Sequence, residues 1–500
     1  MAQSISGTNL LTNWQASYQV LSRTVEIKWD GSNWTDETSR VIGSIAIKHS
    51  LLDNSLNLAI MGAAEQSTAS VSFDNSDGRF SVRKSGSIAN TYYPNGVYRV
   101  PIRIYAGLYD TTNGDEELVQ FFGYIENITD SERVGQNSAL ASCIDLRAEI
   151  DQNKHTTTLY ENKRPDEWIY SLAFGRYSGS IVRDQGVFTI PACWTDKENI
   201  WSEVGSTAES ERGVVYINKD GTLTFRRATF LVEQADSVSS QATLTRGRLT
   251  NLSGKGDWRN TYGEIEVSYE PRTRGLLDTI YEAQEPIEVE PNDSVEHIAE
   301  LRWPTVSVET PIAGVDYDAV NGGTSDMSSS ISISYSWYAE RASVTFTNSS
   351  SQRVYILNFQ LRGIPLIGEG AQSVDTAAES PAPMYNVSKS YTARKNPYRQ
   401  TREQAEYVAY TLRDLLQYPR ELWSFSGPLC PWLELGDRIT VQSANQGLNE
   451  DMYVMSLSES LGSSSQMMDL VLLPVSNVYA ESSFFIIGSD TYGGSDKVYY

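Results

Sequence analysis

Much of the chain alternates between apolar and polar residues. Val25, Ile27 and Trp29 alternate with Glu26 and Lys28, the period of a strand with one buried face. Asp30-Gly31-Ser32-Asn33 follows as a turn, and Val71 and Phe73 run into a second one, Asp74-Asn75-Ser76-Asp77-Gly78. Val100, Ile102 and Ile104 form a strand after Pro94-Asn95-Gly96, and Thr112-Asn113-Gly114-Asp115 separates it from Phe121-Phe122-Gly123-Tyr124-Ile125. Turns this frequent predict a closed or nearly closed β-barrel over residues 1–150.

From 151 to 275 the pattern changes to a small α+β domain. Pro165 and two acids at the first turn predict a short helix through Trp168, Ile169 and Leu172, and a second covers Trp201 to Glu211. Val214-Val215-Tyr216-Ile217 and Thr222-Leu223-Thr224-Phe225 surround Asp220-Gly221, the clearest hairpin in the chain. Ile265, Val267 and Tyr269 alternate as another strand.

Residues 276–385 read as an inserted β-sandwich. Ile331, Ile333, Tyr335 and Trp337 alternate there, and Val344-Thr345-Phe346 and Val354-Tyr355-Ile356 flank an Asn348-to-Ser351 turn. Ala371 to Pro383 lacks bulky residues and reads as a linker. The range 386–478 opens with a helix at 402–418. Ala405, Val408, Ala409, Leu412, Leu415 and Leu416 form one stripe, Thr401 and Gln404 a capping box, and Pro419 the stop. A second barrel-like β region follows, ending in a tail at 479–500. The fold class is mainly β with some α, in several domains.

Composition adds exclusions. The 63 Asp+Glu against 40 Lys+Arg give a net charge of −23 with no basic block, the wrong sign for gripping phosphate backbones. Cys143, Cys193 and Cys430 have no metal or disulfide spacing and read as buried small hydrophobes. His49, His155 and His297 form no HExxH pair, and neither a nucleophile elbow nor a phosphate loop occurs. Asp74 to Gly78 lacks EF-hand spacing, and Asp437 after Gly436 reads as a turn. No catalytic, metal or cofactor residues are assigned. The N-terminus lacks the features of a secretory signal, and no eighteen-residue apolar run occurs, so synthesis in a cytoplasm with no membrane span is expected.

Several stretches, in order, resemble the minor tail or tail-hub proteins of tailed bacteriophages. Ile27-Lys28-Trp29-Asp30-Gly31 with Trp34-Thr35-Asp36-Glu37-Thr38 resembles the family's opening strand and turn. The segment from Ala69 to Ser81, with Gly78-Arg79-Phe80, resembles its most distinctive one. Tyr92-Tyr93, Phe122-Gly123-Tyr124-Ile125, the hairpin at 213–225 and Pro431-Trp432-Leu433-Glu434-Leu435-Gly436-Asp437 continue the series. The resemblance implies a virion protein of the tail tip: a ring, commonly a homotrimer, with two barrel-like domains per chain. Such a ring joins the tail tube or distal-tail protein to the tape measure and the receptor-binding tip, and DNA passes through it at ejection without specific binding. Three copies would carry 3 × −23, or −69, a charge that would repel DNA phosphates from a lumen. Phe484, Phe485, Ile486 and Ile487 are a candidate docking segment for a neighbouring chain, or else a terminal strand of their own domain. Two alternatives stand beside the hub: a distal-tail adaptor or other baseplate component, and a carbohydrate-binding or carbohydrate-cleaving tip protein. The last requires a cleft of paired acids lined with aromatics.

Overall fold

The computed structural model describes residues 3–475 except 6–7, 17–18, 53–60, 93–98, 134–135, 152, 249, 258–260, 324, 378–388 and 418–419. The candidate segment Phe484–Ile487, Tyr93, the Pro94-Asn95-Gly96 turn and Pro419 therefore lie outside the described residues.

Among the described residues, thirteen strands, most of them from the two ends of the chain, form one sheet. Leu21–Ile27, Val100–Asp110, Gly114–Arg133, Gln136–Asp145, Thr68–Asp74 and Ile45–Ser50 follow one another across it. Leu448–Leu461 continues the sheet, pairing Ile45↔Leu461 through Ser50↔Ser456. Gln466–Pro474, Arg420–Pro428 and Asn251–Asp257 then carry it to its far edge. Two long strands turn the corners. Gly114–Arg133 pairs with Val100–Asp110 along its first half and with Gln136–Asp145 along its second, with a register shift between Ile125 and Asn127. Leu448–Leu461 likewise serves Arg438–Ser443 and then Ile45–Ser50, and shifts register between Val454 and Ser456. Such bulges bend a strand and increase its twist, so one strand can leave one partner and join another. Buried residues of both ends, Trp29, Phe73, Phe121, Trp432 and Tyr453 among them, form one core together with residues such as Leu244 and Ile265. The hydrogen bonds do not follow the sequence ranges: Ser240–Leu244 and Asn251–Asp257, from 151–275, belong to this sheet.

The middle region has its own core around Trp168, Ile169, Trp201, Val215 and Phe225. The expected helices are present as Pro165–Ala173 and Ile200–Glu209. The hairpin pairs Val214↔Arg226 to Ile217↔Leu223, and Gly62–Ala63 adds a parallel strand to it.

A third core, built on Ile280, Val289, Phe346, Ile356, Phe359 and Leu361, belongs to the inserted sandwich. Val344–Phe346 lies in a sheet with Ser294–Glu300 and Ile331–Trp337, and Val354–Ile356 in a sheet with Ile287–Val289 and Asp318–Asn321. The turn between them crosses the sandwich, and buried Asn348 fixes it by donating to the carbonyls of Glu290 at 3.1 Å and Gln352 at 2.7 Å. Ala371–Pro383 is not all linker, since Gln372–Ala377 pairs antiparallel with Glu264–Tyr269. That ladder continues into Arg272–Arg274 against Leu366–Gly368, so the sandwich joins the body by a two-stranded neck.

Helix Arg402–Leu416 buries its predicted stripe, and both halves of its capping box form. No described helix is long and apolar enough to cross a membrane.

Candidate functional site

The segment Gly78-Arg79-Phe80 is a structural clasp. Gly78 takes φ +71°, a left-handed conformation that glycine adopts without strain. The turn before it is closed by its own side chains: Asp74 accepts from Ser76 N at 3.0 Å, Asn75 from Phe80 N at 2.9 Å and Asp77 from Arg79 N at 3.0 Å. These oxygens serve the turn's own backbone, which accounts for the Asn- and Asp-rich composition without a cation. Arg79 reaches back to Glu37, Nη2 to Oε1 at 2.6 Å and Nε to Oε2 at 3.1 Å, while the Trp29 indole donates to Glu37 at 3.1 Å. Phe80 stacks on Phe73 at 4.6 Å and lies 5.9 Å from Trp29.

A buried polar seam joins the ranges 1–150, 151–275 and 386–478. At the tip of the 214–226 hairpin, Lys219 Nζ donates to Glu459 Oε1 at 2.6 Å and Gln120 Oε1 at 2.7 Å. The ion pair is sealed, with side-chain exposures of 1% and 0%. His49 lies beside it and is fully buried. Its Nε2 faces the Gln120 carbonyl at 3.0 Å, which can only accept, so Nδ1 accepts from Ser67 Oγ at 2.9 Å. Burial, reinforced by the Lys219 charge, brings the imidazole down to about 3, which keeps it neutral. Burial pushes Asp145 up to about 6, although Ser67 N donates to it at 2.7 Å. Burial also raises Glu434 to about 7 and Glu459 in the same direction, against the pull of Lys219. The seam resembles an acid–base cluster in its residue types, but both members of its ion pair are shut away from solvent. It clamps strands of the N- and C-terminal ranges to the hairpin.

Where the sandwich meets the middle region, Trp194, Glu203, Arg272, Glu340 and Tyr398 line a cleft of about 290 Å³. It contains the aromatics and acids that a carbohydrate site would need, but three of its four acids, Asp196, Glu203 and Glu340, are already engaged, Glu198 being the fourth. Glu340 accepts from the Trp194 indole at 2.8 Å, Glu203 from the Tyr398 hydroxyl, and Asp196 pairs with Arg341. Arg272 lies 4.4 Å over the Trp194 ring. These contacts hold the sandwich against the body and leave no free acid pair among Asp196, Glu203 and Glu340.

The three histidines are not brought together: His155 contacts Arg176 at 2.9 Å, and His297 contacts the Tyr281 hydroxyl at 2.7 Å. Among the described residues no group of His, Cys, Asp and Glu is arranged to hold a metal ion. The three cysteines are free and buried. Asp437 is buried within its turn, accepting from Glu434 N at 2.7 Å. Sequence reasoning missed Lys219, Glu459 and the Asp196–Arg341 pair. Their partners lie 240 and 145 residues away, so no local signal marks them.

No protein-family model and no curated protein matches the sequence, whereas solved structures do. A tail protein from Neisseria meningitidis MC58 superposes with a TM-score of 0.52 at 9% identity, over 92% of this chain and 98% of the other. The 43 kDa tail protein of prophage MuSo2 from Shewanella oneidensis gives 0.47 at 9% identity, over 91% and 99%. A prophage tail protein from Listeria monocytogenes EGD-e gives 0.43 at 8% identity, over 90% and 94%. Identities this low speak for fold alone, and the Neisseria protein carries the likeness. The chain is a mainly β, multi-domain protein. Its fold is similar to that of the Neisseria tail protein, in keeping with the tail-protein resemblance read from the sequence.

Proposed function

We propose that this chain is a non-catalytic structural protein of a phage-type tail tip. In this reading it is a hub ring, a homotrimer, that joins the tail tube to the tip or receptor-binding apparatus and lets DNA pass at ejection. The carrying observation is the tail-protein fold, matched over 92% of the chain. The shared sheet and its sealed clamp support the same reading, since a ring segment under load benefits from ends that move as one body. In this scheme 1–150 and 386–478 build the ring, 151–275 and 276–385 decorate it, and Phe484, Phe485, Ile486 and Ile487 in the tail dock on a neighbouring chain.

The charge distribution narrows the lumen idea. Residues 276–385 hold 16 Asp+Glu against four Arg and no Lys, a net of −12 out of −23. The remaining ranges keep −11, or 3 × −11 = −33 in a trimer, so any acidic lumen draws on that smaller charge.

Electron microscopy of tails labelled with an antibody to this chain tests the assignment. A three-fold ring at the tip with a lumen as wide as duplex DNA is expected. Labelling of the capsid, or a subunit that leaves no channel, overturns it.

A further inference from the structure

The Ile331–Trp337 strand has an open side. Along one edge it pairs with Arg341–Asn348, from Ile331↔Asn348 to Trp337↔Ala342 without a register shift. It ends its sheet, and no described strand lies on the other edge. Natural sheets guard such edges with lysines, prolines or bulges, because unpaired N–H and C=O groups invite another strand. None is present here. From Met327 to Ala339 the chain has no charged residue, inside a region whose net charge is −12.

The flanking side chains extend this neutral strip. Ser332, Ser334 and Ser336 are exposed, while Tyr335 and Trp337 stack at 6.1 Å. The Tyr335 hydroxyl bonds Thr310 Oγ1 at 2.9 Å, tying in a loop whose Ile312 and Val315 are 53% and 58% exposed. The result is a free ladder of backbone groups beside exposed apolar side chains, the features that strand addition uses.

We infer that this edge is the docking strand for residues 482–489 of a neighbouring copy. The inference rests on the proposed docking role of Phe484–Ile487 and assigns it a receptor. Residues 482–489, Ser-Ser-Phe-Phe-Ile-Ile-Gly-Ser, are uncharged like the edge, so pairing buries no unpartnered charge. Alternate residues of an added strand face opposite sides, which lets one set of its apolar side chains cover Ile333 and Tyr335. The six residues 476–481 between Val475 and this strand give a reach of roughly 20–22 Å at 3.3–3.6 Å per residue.

The test uses full-length Ser334→Cys and Ile486→Cys chains, purified separately, mixed and oxidised. The native cysteines are buried and do not compete. A disulfide-linked mixed dimer, absent when either chain is oxidised alone, is expected. Self-association measured by sedimentation should weaken at least tenfold both in Ser334→Lys, an exposed position, and on deletion of 481–500. If the deletion weakens association but Ser334→Lys does not and no mixed dimer forms, the edge assignment fails while tail docking stands. If the deletion changes nothing, tail docking itself fails. A Ser334→Cys/Ile486→Cys double variant that links only within one chain overturns the neighbouring-copy claim.

Discussion

The Lys219 ammonium sits 2.6 Å from Glu459 and 2.7 Å from Gln120, at the tip of a hairpin whose next glycine, Gly221, has φ +81°. Replacing one charge of a sealed pair leaves the other buried and unmatched, which costs about 3–5 kcal/mol. Lys219→Met should therefore lower stability by about that amount in urea unfolding followed by tryptophan fluorescence. Adding Glu459→Leu should restore part of it, and strictly additive losses would refute the clamp. Glu211 gives a pH signature. Fully buried, it accepts from Val187 N at 2.8 Å, and burial pushes its carboxyl from 4.5 up to about 8. Between those values the folded chain holds a proton that the unfolded chain has released. This contribution therefore weakens stability as pH rises through the window. Glu211→Gln should flatten the decline measured between pH 5 and pH 8; an identical slope in both proteins would count against it. Neither residue's role was legible in the sequence. Asn218-Lys219-Asp220-Gly221 has the composition of a solvated turn, and what buries it comes from strands far away in the chain.

Elements whose signals are local were legible. Helix Arg402–Leu416 carries its stripe, its cap and its stop within twenty residues, and Thr401 Oγ1 accepts from Gln404 N at 3.2 Å while Gln404 Oε1 accepts from Thr401 N at 3.1 Å. Thr401→Ala should cost about 1 kcal/mol, with faster amide exchange at Gln404; unchanged exchange would show the cap to be idle. Elements defined by their partner were not legible. Gln372–Ala377 has only Val374 as a bulky residue and reads as a linker, yet Glu264–Tyr269 supplies a ladder that small polar residues can join. Which sheet Val354–Ile356 joins is likewise set from a distance, since the Asn348 amide ties the turn before it to the carbonyl of Glu290 as well as to that of Gln352. A turn's composition shows that the chain reverses and leaves open which strand it meets next.

At the scale of the whole molecule, the β content and the order of the regions could be read from alternation and turns, but the fusion of the two ends could not. Alternation marks one buried face and does not say which strand covers an edge. The consequence is a difference in autonomy between regions. Residues 1–150 leave Ile45–Ser50 without Leu448–Leu461, Trp14 without its bond to the Leu429 carbonyl at 2.9 Å and its edge contact with Trp432 at 5.8 Å, and His49 next to a vacated Lys219 site. Expressed alone, this fragment should lack a cooperative thermal transition and aggregate through its open strand. Residues 271–370 should behave differently. They keep a core of their own, and Glu369 N donates to the Pro271 carbonyl at 2.9 Å, so entry and exit strands stay paired when the neck is cut. That fragment should melt cooperatively, show dispersed amide resonances and remain soluble with its acidic surface. A folded 1–150, or an unfolded 271–370, would mean that the ends are joined by assembly contacts alone and that the body, not the neck, holds the sandwich together.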